Sequence, residues 1–336
     1  MGGGVAGLRA ADELVAAGCG VVVVEKSRGV GGRMATRRLG DAVLDHGAQF
    51  FTVRGDSFGG IVSAAVEAGR VARWTSGFAQ AESINAEVVP ADDGHPRYRG
   101  AGGMTDLPKF LLERLGARGV ALRTGARVTA IALDGESVRL EIDGAEAIRF
   151  AGCVVTAPVP QALDLFAAGG LPAPGLIDGD ARRRLAAVAY DPCFALMLVL
   201  DRPSRVPPPG GIQCASGPIS WLADNHLKGI SPVPALTVHA SGAFSRERFD
   251  DAPDAVSRTL RDLAAPWIGD AAIVEQSLQR WKFATPTTVL EAPYVAVANR
   301  PPLVCCGDAF AGPKVEGAAA SGLAAGRWLA ETLHNA

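Results

Sequence analysis

The chain lacks most of what would tie it to a nucleic acid, a membrane or an oxidising compartment. Its 336 residues carry a net charge of only −2. Neither sign dominates, so there is no electrostatic footprint for nucleic acid or an anionic membrane surface. Six cysteines in a chain this long are too few for a disulfide framework. There is no C-x-x-C pair and no Cys/His set at zinc spacing, so no metal site is expected. Cys305 and Cys306 stand side by side in an apolar run and read as small buried hydrophobes. The expected compartment is reducing and cytoplasmic. No predominantly apolar, uncharged stretch approaches the length of a membrane span. The start is glycine-rich, and Asp12 and Glu13 interrupt any apolar leader. No long repeat is present.

Glycine, by contrast, is plentiful, at 41 residues, and 48% of the chain is hydrophobic. Length and composition suit a globular chain of two domains with many turns and close backbone approaches. Residues 5–17 place Val5, Leu8, Ala11, Leu14 and Val15 at helical spacing, and Gly18 stops the helix. GVVVVEK is the short valine run expected of a buried parallel strand. RRLGDAVLDHGAQFFTV predicts a hairpin around Gly40-Asp41. MTDLPKFLLERLGARG predicts a helix capped by Thr105 or Asp106, with Pro108 in its first turn. Residues 121–158 alternate through several strands, with Asp134-Gly135 and Asp143-Gly144 as turns.

From about 160 to 280 the character changes. Pro-rich stretches (LPAPG, RVPPPGG) separate strands such as FALMLVLD and ALTVHASG from a helix near DAVSRTLRDLAAPW. A mixed, mostly antiparallel second domain is expected. PPLVCCGDAF returns to a buried strand, and KVEGAAASGLAAGRWLAETL is a final long helix. The fold class is α/β. A discontinuous Rossmann-like dinucleotide-binding domain (1–75, 100–160, 282–336) is joined to a mixed α+β substrate domain (76–99, 161–281).

The chemistry-bearing motifs begin at the first residues. Gly2-x-Gly4-x-x-Gly7 has phosphate-cradle spacing. Gly2 makes the tight turn, Gly4 lets backbone reach a pyrophosphate, and Gly7 lets helix pack on strand. The helix N-terminus adds free N–H groups and a positive dipole end. Glu25 ends the valine strand 18 residues beyond Gly7, where a carboxylate can accept from both ribose hydroxyls. SRGVGGRMATRR follows, and Arg33 suits a phosphate contact. Arg37 and Arg38 are left as surface candidates. Near the C-terminus a buried strand delivers Gly307-Asp308. A loop follows, then a helix N-terminus near Val315-Glu316-Gly317. Such an N-terminus stabilises negative charge on a reduced ring, and the Asp can hold a ribityl or pyrophosphate group.

Taken in order, GGGVAGLRAADEL, VVVVEKSRGVGGRMATRR, LDHGAQFF, GGMTDLPKFL, QRWKFATP and GDAFAGPKVEGAAASGLAAG resemble the renalase family, within the flavin amine-oxidase-like proteins. The resemblance implies an FAD-binding domain of glutathione-reductase type. It implies an oxidase that converts dihydro isomers of NAD(P)H to NAD(P)+ and passes the electrons to oxygen as hydrogen peroxide. By position, Gly2, Gly4, Gly7, Glu25, Arg33, Val128 (through its backbone) and Asp308 would bind FAD. Lys26, Gly32, Val315, Glu316 and Ala318 join that set. Ala48, Gln49 and Phe50 of DHGAQFF are expected at the flavin ring. Trp281 and His239 fall where the resemblance places the substrate cavity, and Asn225 in WLADNHLKG is a third candidate. The bland alternatives are a core aromatic for Trp281 and a satisfied strand histidine for His239. His46 is read as structural. A dihydropyridine already carries a transferable hydride, so the protein mainly binds and orients it.

One departure stands out. Relatives place an apolar strand before the first glycine, and here only Met1 precedes it. Losing a central strand would unpair its neighbours and unseat Gly2, at a cost comparable with the ~5–15 kcal/mol stability of a domain. The expectation is a true product that starts upstream. Two other functions stay open. One is a flavin amine oxidase or desaturase; three tyrosines argue against a tyrosine-walled cage, and Lys282 keeps the option. The other is a truncated, non-catalytic homologue without FAD. A plain NAD-dependent dehydrogenase would leave Gly307-Asp308 and its helix without a task. The partner expected is a small molecule, a dihydronicotinamide nucleotide or an amine, with no nucleic acid and no membrane.

Overall fold

The computed structural model describes residues 1–171, 179–310 and 312–335. Most of the Pro-rich stretch LPAPG lies outside them. The chain divides into two compact units. The first holds 1–32, 108–189 and 286–336, and the second 33–107 and 190–285. The first unit is discontinuous, as the motifs require, but the borders differ from the expected ones. Residues 33–75 and 100–107 pack with the second unit, and 161–189 with the first.

In the first unit, strand Val22–Val24 pairs in parallel with Ala121–Arg123. Strand Cys153–Val155 pairs in parallel with Pro302–Cys305, which pairs antiparallel with Val295–Asn299. Valine and cysteine dominate Val22–Val24, Cys153–Val155 and Pro302–Cys305, which are largely buried, whereas Ala121 and Arg123 of the fourth strand are exposed. Cys305 and Cys306 are buried, and burial pushes the Cys306 thiol up to about 12. A separate antiparallel meander runs Val128–Asp134, Ser137–Ile142 and Ala145–Phe150. The helix Val5–Ala16 lies against the helix Lys314–His334. A Cβ on Gly322 would stand 2.0 Å from the Ala6 carbonyl oxygen. The small-residue face of the last helix is therefore a packing requirement.

Met1 and Gly2 bridge the two parallel sheets. The Met1 amino group donates to the Val154 carbonyl at 2.6 Å, and Thr156 N–H donates to the Met1 carbonyl. Gly2 N–H donates to the Val24 carbonyl at 2.8 Å. The expected unseating of Gly2 does not occur. Its backbone is held from both sides by ladder-type bonds.

The second unit is built on a six-stranded sheet. Its order is Ile273–Pro286, Tyr190–Leu200, Ala235–Ala240, Ile219–Asp224, Gly211–Cys214 and Ala79–Ala81. The period of two splits each strand between two faces. Phe194, Leu196, Leu198, Leu236, Val238 and Ala240 pack with Val256, Leu260 and Ala264 of the helix Pro253–Ile268. The alternate residues Met197, Val199 and Ala235 meet Ala42 and Leu44 of the hairpin Thr36–Leu39/Ala42–Asp45. That hairpin turns at Gly40-Asp41, as its sequence requires. Thr237 and His239 share the parity of Ala235. The helices Asp56–Glu67, Val159–Ala168, Gly179–Ala186 and Gly242–Glu247 are additional to those expected from the sequence.

Candidate functional site

The glycine turn of the first unit is made almost wholly of backbone. Gly2 sits at φ +101°, a region L side chains rarely adopt. A Cβ there would stand 2.2 Å from Thr156 Oγ1, and a Cβ on Gly7 2.0 Å from the Gly2 carbonyl oxygen. Both glycines are forced by packing. Gly4 is different. It is the N-cap of the helix Val5–Ala16 in extended backbone, and a Cβ on it would meet no protein atom within 4 Å. Neither backbone strain nor protein packing requires glycine there. No side chain caps this helix end, so its first N–H groups are available to an anion.

Glu25 is buried and tied into the same turn. Its Oε2 accepts from Gly3 N–H at 2.7 Å and its Oε1 from Ser27 N–H at 2.8 Å. Each oxygen keeps a further lone pair. The carboxylate thus locks strand to glycine turn and keeps capacity for hydroxyl donors. Gly31 N–H donates to the Gly3 carbonyl, and a Cβ on Gly32 would come within 3.5 Å of Gly4 Cα. The RGVGG loop lies over the cradle. Lys26 is exposed, and Val128 is half-buried at the start of its strand.

At the other end of this unit Gly307 takes φ +143°. Its N–H donates to Ser321 Oγ at 2.9 Å, and that hydroxyl donates to the Pro293 carbonyl at 2.5 Å. The Gly-Asp turn is thereby fastened to the last helix. Asp308 is half-buried, and Val315, Glu316 and Ala318 occupy the first turns of that helix. A Cβ on Gly307 would also meet open space. Two glycines opening on space, an uncapped helix end and a ribose-type carboxylate fit a dinucleotide such as FAD.

The second unit gathers a different set. The segment after Asp45 folds back so that Ala48 N–H donates to the Arg33 carbonyl at 2.8 Å. Arg33 spends guanidinium donors on the Phe283 and Ala284 carbonyls at 3.4 and 3.3 Å. Gln49 is buried, and its Nε2 donates to the Asp45 carbonyl at 2.7 Å and the Gly47 carbonyl at 3.2 Å. These two acceptors fix the amide orientation. Gln49 Oε1 is then a buried acceptor with no hydrogen-bond partner in the protein. Gln49 Nε2 also lies 3.4 Å from His239 Nε2. Trp281 donates its indole N–H to the His46 carbonyl at 2.7 Å and stacks on the His46 ring, with centroids 5.4 Å apart. Phe50 contacts Phe78 and Trp221. Trp221 is the cross-strand partner of His239.

Two further polar atoms of this cluster, His46 Nδ1 and Trp221 Nε1, are buried without a partner. Buried polar atoms are rarely left so, and each asks for a ligand or a water. Burial first, then the Arg37 charge, lowers His46 to about 4. His239 is lowered to about 4 by burial, then by the charges of His46 and Lys228. A hydrogen bond with the His46 backbone and the charge of Asp45 oppose this. Both rings are neutral at pH 7.

Asn225 does not belong to a ligand-facing set. It is fully buried. Its Nδ2 donates to Thr237 Oγ1 at 2.9 Å and its Oδ1 accepts from Asp45 N–H at 3.3 Å. The side chain braces strand to hairpin, which corrects the sequence expectation. Sequence reasoning missed Asp45, Lys228, Thr237 and Trp221. Only Asp45 carried a signal, as the residue that opens DHGAQFF.

A Rossmann-type glycine cradle joined to a large sheet domain defines a dinucleotide-binding oxidoreductase fold. A model for the flavin containing amine oxidoreductases matches residues 67–327, and one for an NAD(P)-binding Rossmann-like domain matches 1–61. The chain belongs to the flavin-containing amine oxidoreductase family; it is an FAD-dependent oxidoreductase. Among solved structures it resembles a putative protoporphyrinogen oxidase from Exiguobacterium sp. 255-15 (TM-score 0.75, 13% identity, 98% of this chain and 97% of that one). It also resembles the cyclohexylamine oxidase of Brevibacterium oxydans IH-35A (0.73, 13%, 99% and 98%). An oxidoreductase from Methanosarcina mazei gives 0.64 at 16% identity, covering 96% and 98%. Identities this low speak to the fold alone. Among the described residues, no helix is long and apolar enough to cross a membrane.

Proposed function

We propose that this enzyme is a renalase-like oxidase of dihydronicotinamide isomers. FAD is held through Gly2, Gly4, Gly7, Glu25, Gly32 and Asp308 and the first turn of the last helix, around Val315, Glu316 and Ala318. When bound, FAD supplies a two-electron acceptor that takes the hydride and passes the electrons to oxygen, giving hydrogen peroxide. The rest of the work is binding and orientation. Gln49 Oε1 accepts a hydrogen bond from the substrate, and Trp221 and His46 offer further polar contacts. Trp281 holds the His46 ring in its plane. Neutral His239 excludes charge from the same face.

The observation that carries this reading is that, among the described residues, the cluster holds no carboxylate without a buried cationic partner. Its carboxylate, Asp45, is fully buried against Lys228, and both histidines are uncharged at pH 7. An alkylammonium substrate would enter with nothing to balance its charge, which is costly in a buried site. A dihydropyridine enters neutral and needs no general base, and the positive charge its ring gains on losing hydride would be balanced by the negative charge that the reduced FAD would gain. The aromatic group of Phe50, Phe78, Trp74 and Trp221 is what favours an amine oxidase as second reading. However, Lys228 Nζ already lies 4.9 Å from the Trp74 ring centroid. That face holds the protein's own cation.

The test is anaerobic mixing of the purified yellow protein with a dihydro isomer of NADH while the visible flavin band is followed. Rapid bleaching is expected. Bleaching by a primary amine and not by the isomer would overturn the reading in favour of an amine oxidase. A colourless protein that fails to take up FAD would overturn it altogether.

A further inference from the structure

Among the described residues, Lys228 is the lysine that the cluster encloses, and it has no part in the chemistry proposed above. Its side chain and that of Asp45 are both fully buried, with Nζ 2.6 Å from Oδ2. The local sequence is built to drive this lysine inward. After the strand Ile219–Asp224, Asp224 Oδ1 accepts from the His226 and Leu227 N–H groups, at 2.8 and 2.9 Å. Lys228 N–H closes the turn on the Asp224 carbonyl. Leu227, the apolar neighbour, is left outside at 43% exposure. Gly229 follows at φ +80°, and a Cβ there would press on the Arg99 guanidinium at 2.9 Å. An arrangement that exposes leucine and buries lysine runs against the usual preference.

Burial of an ion pair is a poor source of stability. Desolvation offsets the attraction, and apolar replacements of similar volume are often neutral or better. Burial does lower Lys228, with Asp45 opposing that shift and Arg99 adding to it. What the pair does provide is a fixed aspartate. Asp45 Oδ1 also accepts from Thr36 Oγ1 at 2.5 Å and from Met104 N–H at 2.8 Å. The side chain of Asp45 is thus held by three elements. Its backbone carbonyl, so fixed, accepts from Thr237 Oγ1 at 2.9 Å and Gln49 Nε2 at 2.7 Å. Gln49 therefore owes its orientation, and the direction of its unpartnered Oε1, to a carbonyl whose residue is clamped by Lys228.

We propose that Lys228 and Asp45 are positioning residues. Their buried pair fixes the carbonyl that aims Gln49 Oε1 at the substrate. This rests on the oxidoreductase reading above only for the word substrate. The positioning itself is a statement about this chain.

The test uses the FAD-loaded enzyme and the pair variant K228M/D45N, which removes both charges of the pair together and leaves the net charge of the core unchanged. Crystal structures of both are compared at Gln49, and the anaerobic rate of flavin reduction is measured with and without Q49A. The variant is expected to stay yellow, with the Gln49 amide displaced or disordered and reduction slowed about tenfold, no further than Q49A slows the wild type. Q49A is expected to slow the wild type by about tenfold or more, and the pair variant by less than threefold, because residues that act through one another are not additive. An unmoved Gln49 in the variant overturns the proposal, as does a reduction rate within threefold of wild type. Additive effects of Q49A also overturn it. Should K228M/D45N not fold, K228R takes its place. The larger cation is expected to shift Asp45 and Gln49 and to slow reduction with FAD retained; a wild-type rate with Gln49 in place overturns the idea. If no dihydronicotinamide reduces the wild-type flavin, the functional reading fails, and the position of Gln49 in the variant still decides the role of the pair.

Discussion

The glycine cradle of the first unit and the glutamine–histidine cluster of the second are the two proposed ligand sites, and they are made in opposite ways. The cradle is backbone. Its donors are N–H groups of a helix start, and its shape comes from glycines that admit no Cβ or leave room for something else. Few side chains take part besides Glu25. The cluster is side chains, drawn from a hairpin end, two neighbouring strands, a turn and a long edge strand. Its geometry is set by a buried ion pair and a chain of hydrogen bonds. A backbone site is insensitive to most substitutions and intolerant of a few. A side-chain site can be damaged from any of its supports.

The comparison is broken most severely at Gly7. Gly7→Ala places a methyl 2.0 Å from the Gly2 carbonyl oxygen, so the turn must open. The expected product is colourless and markedly less stable, read from the flavin band per protein and from thermal unfolding. Gly4→Ala sharpens the contrast within the cradle. Its methyl meets no protein atom within 4 Å, so FAD-free stability should change by less than ~1 kcal/mol. FAD affinity should nevertheless fall at least tenfold. Equal damage from both substitutions would mean that Gly4, too, is a packing residue.

The cluster should show itself in pH. His46 and His239 both lie at about 4 in the folded protein, against 6.5 ordinarily. Between those values the unfolded chain binds more protons than the native one, so stability rises with pH across the window. Their contribution is complete above about pH 6.5 and is lost as pH falls toward 4. It amounts to about 3 kcal/mol for one ring, and the two do not simply add, because the His46 charge supplies part of the His239 shift. Urea unfolding from pH 4 to 8 checks this, and His239→Gln should flatten the curve by roughly half. The cradle, with no titrating histidine, should contribute no such slope. Gln49→Ala is expected to leave FAD content unchanged and to slow flavin reduction by ~10–100-fold, the worth of one buried hydrogen bond to substrate. The smallest effect belongs to Lys26→Ala. This exposed residue should shift FAD content by less than twofold.

Legibility followed the same divide. Gly2, Gly4, Gly7 and Glu25 could be read because a phosphate cradle needs consecutive local backbone and fixes residue spacing along the chain. The strands at Val22, Cys153 and Pro302 and the last helix could be read for the same local reason. Trp281, His239 and Gln49 became candidates through family likeness alone, with no spacing rule to join them. Asn225 was placed on the wrong side of the argument. A buried asparagine and a ligand-facing one look alike until their partners are known. The unit borders slipped because the hairpin at Gly40 follows the cofactor loop in sequence but packs on the second sheet.

The sequence by itself therefore determined the dinucleotide cradle, the α/β class and the discontinuous first unit. Those depend on glycine placement and on hydrophobic periods only a few residues long. Tertiary structure alone decided that Lys228 would be buried against Asp45, 183 residues away. It decided that Gln49 would be pinned by its nitrogen with its oxygen free, and that two histidines would be neutral. Each of these depends on desolvation and on which polar groups meet across distant segments, and neither is written in the order of the residues.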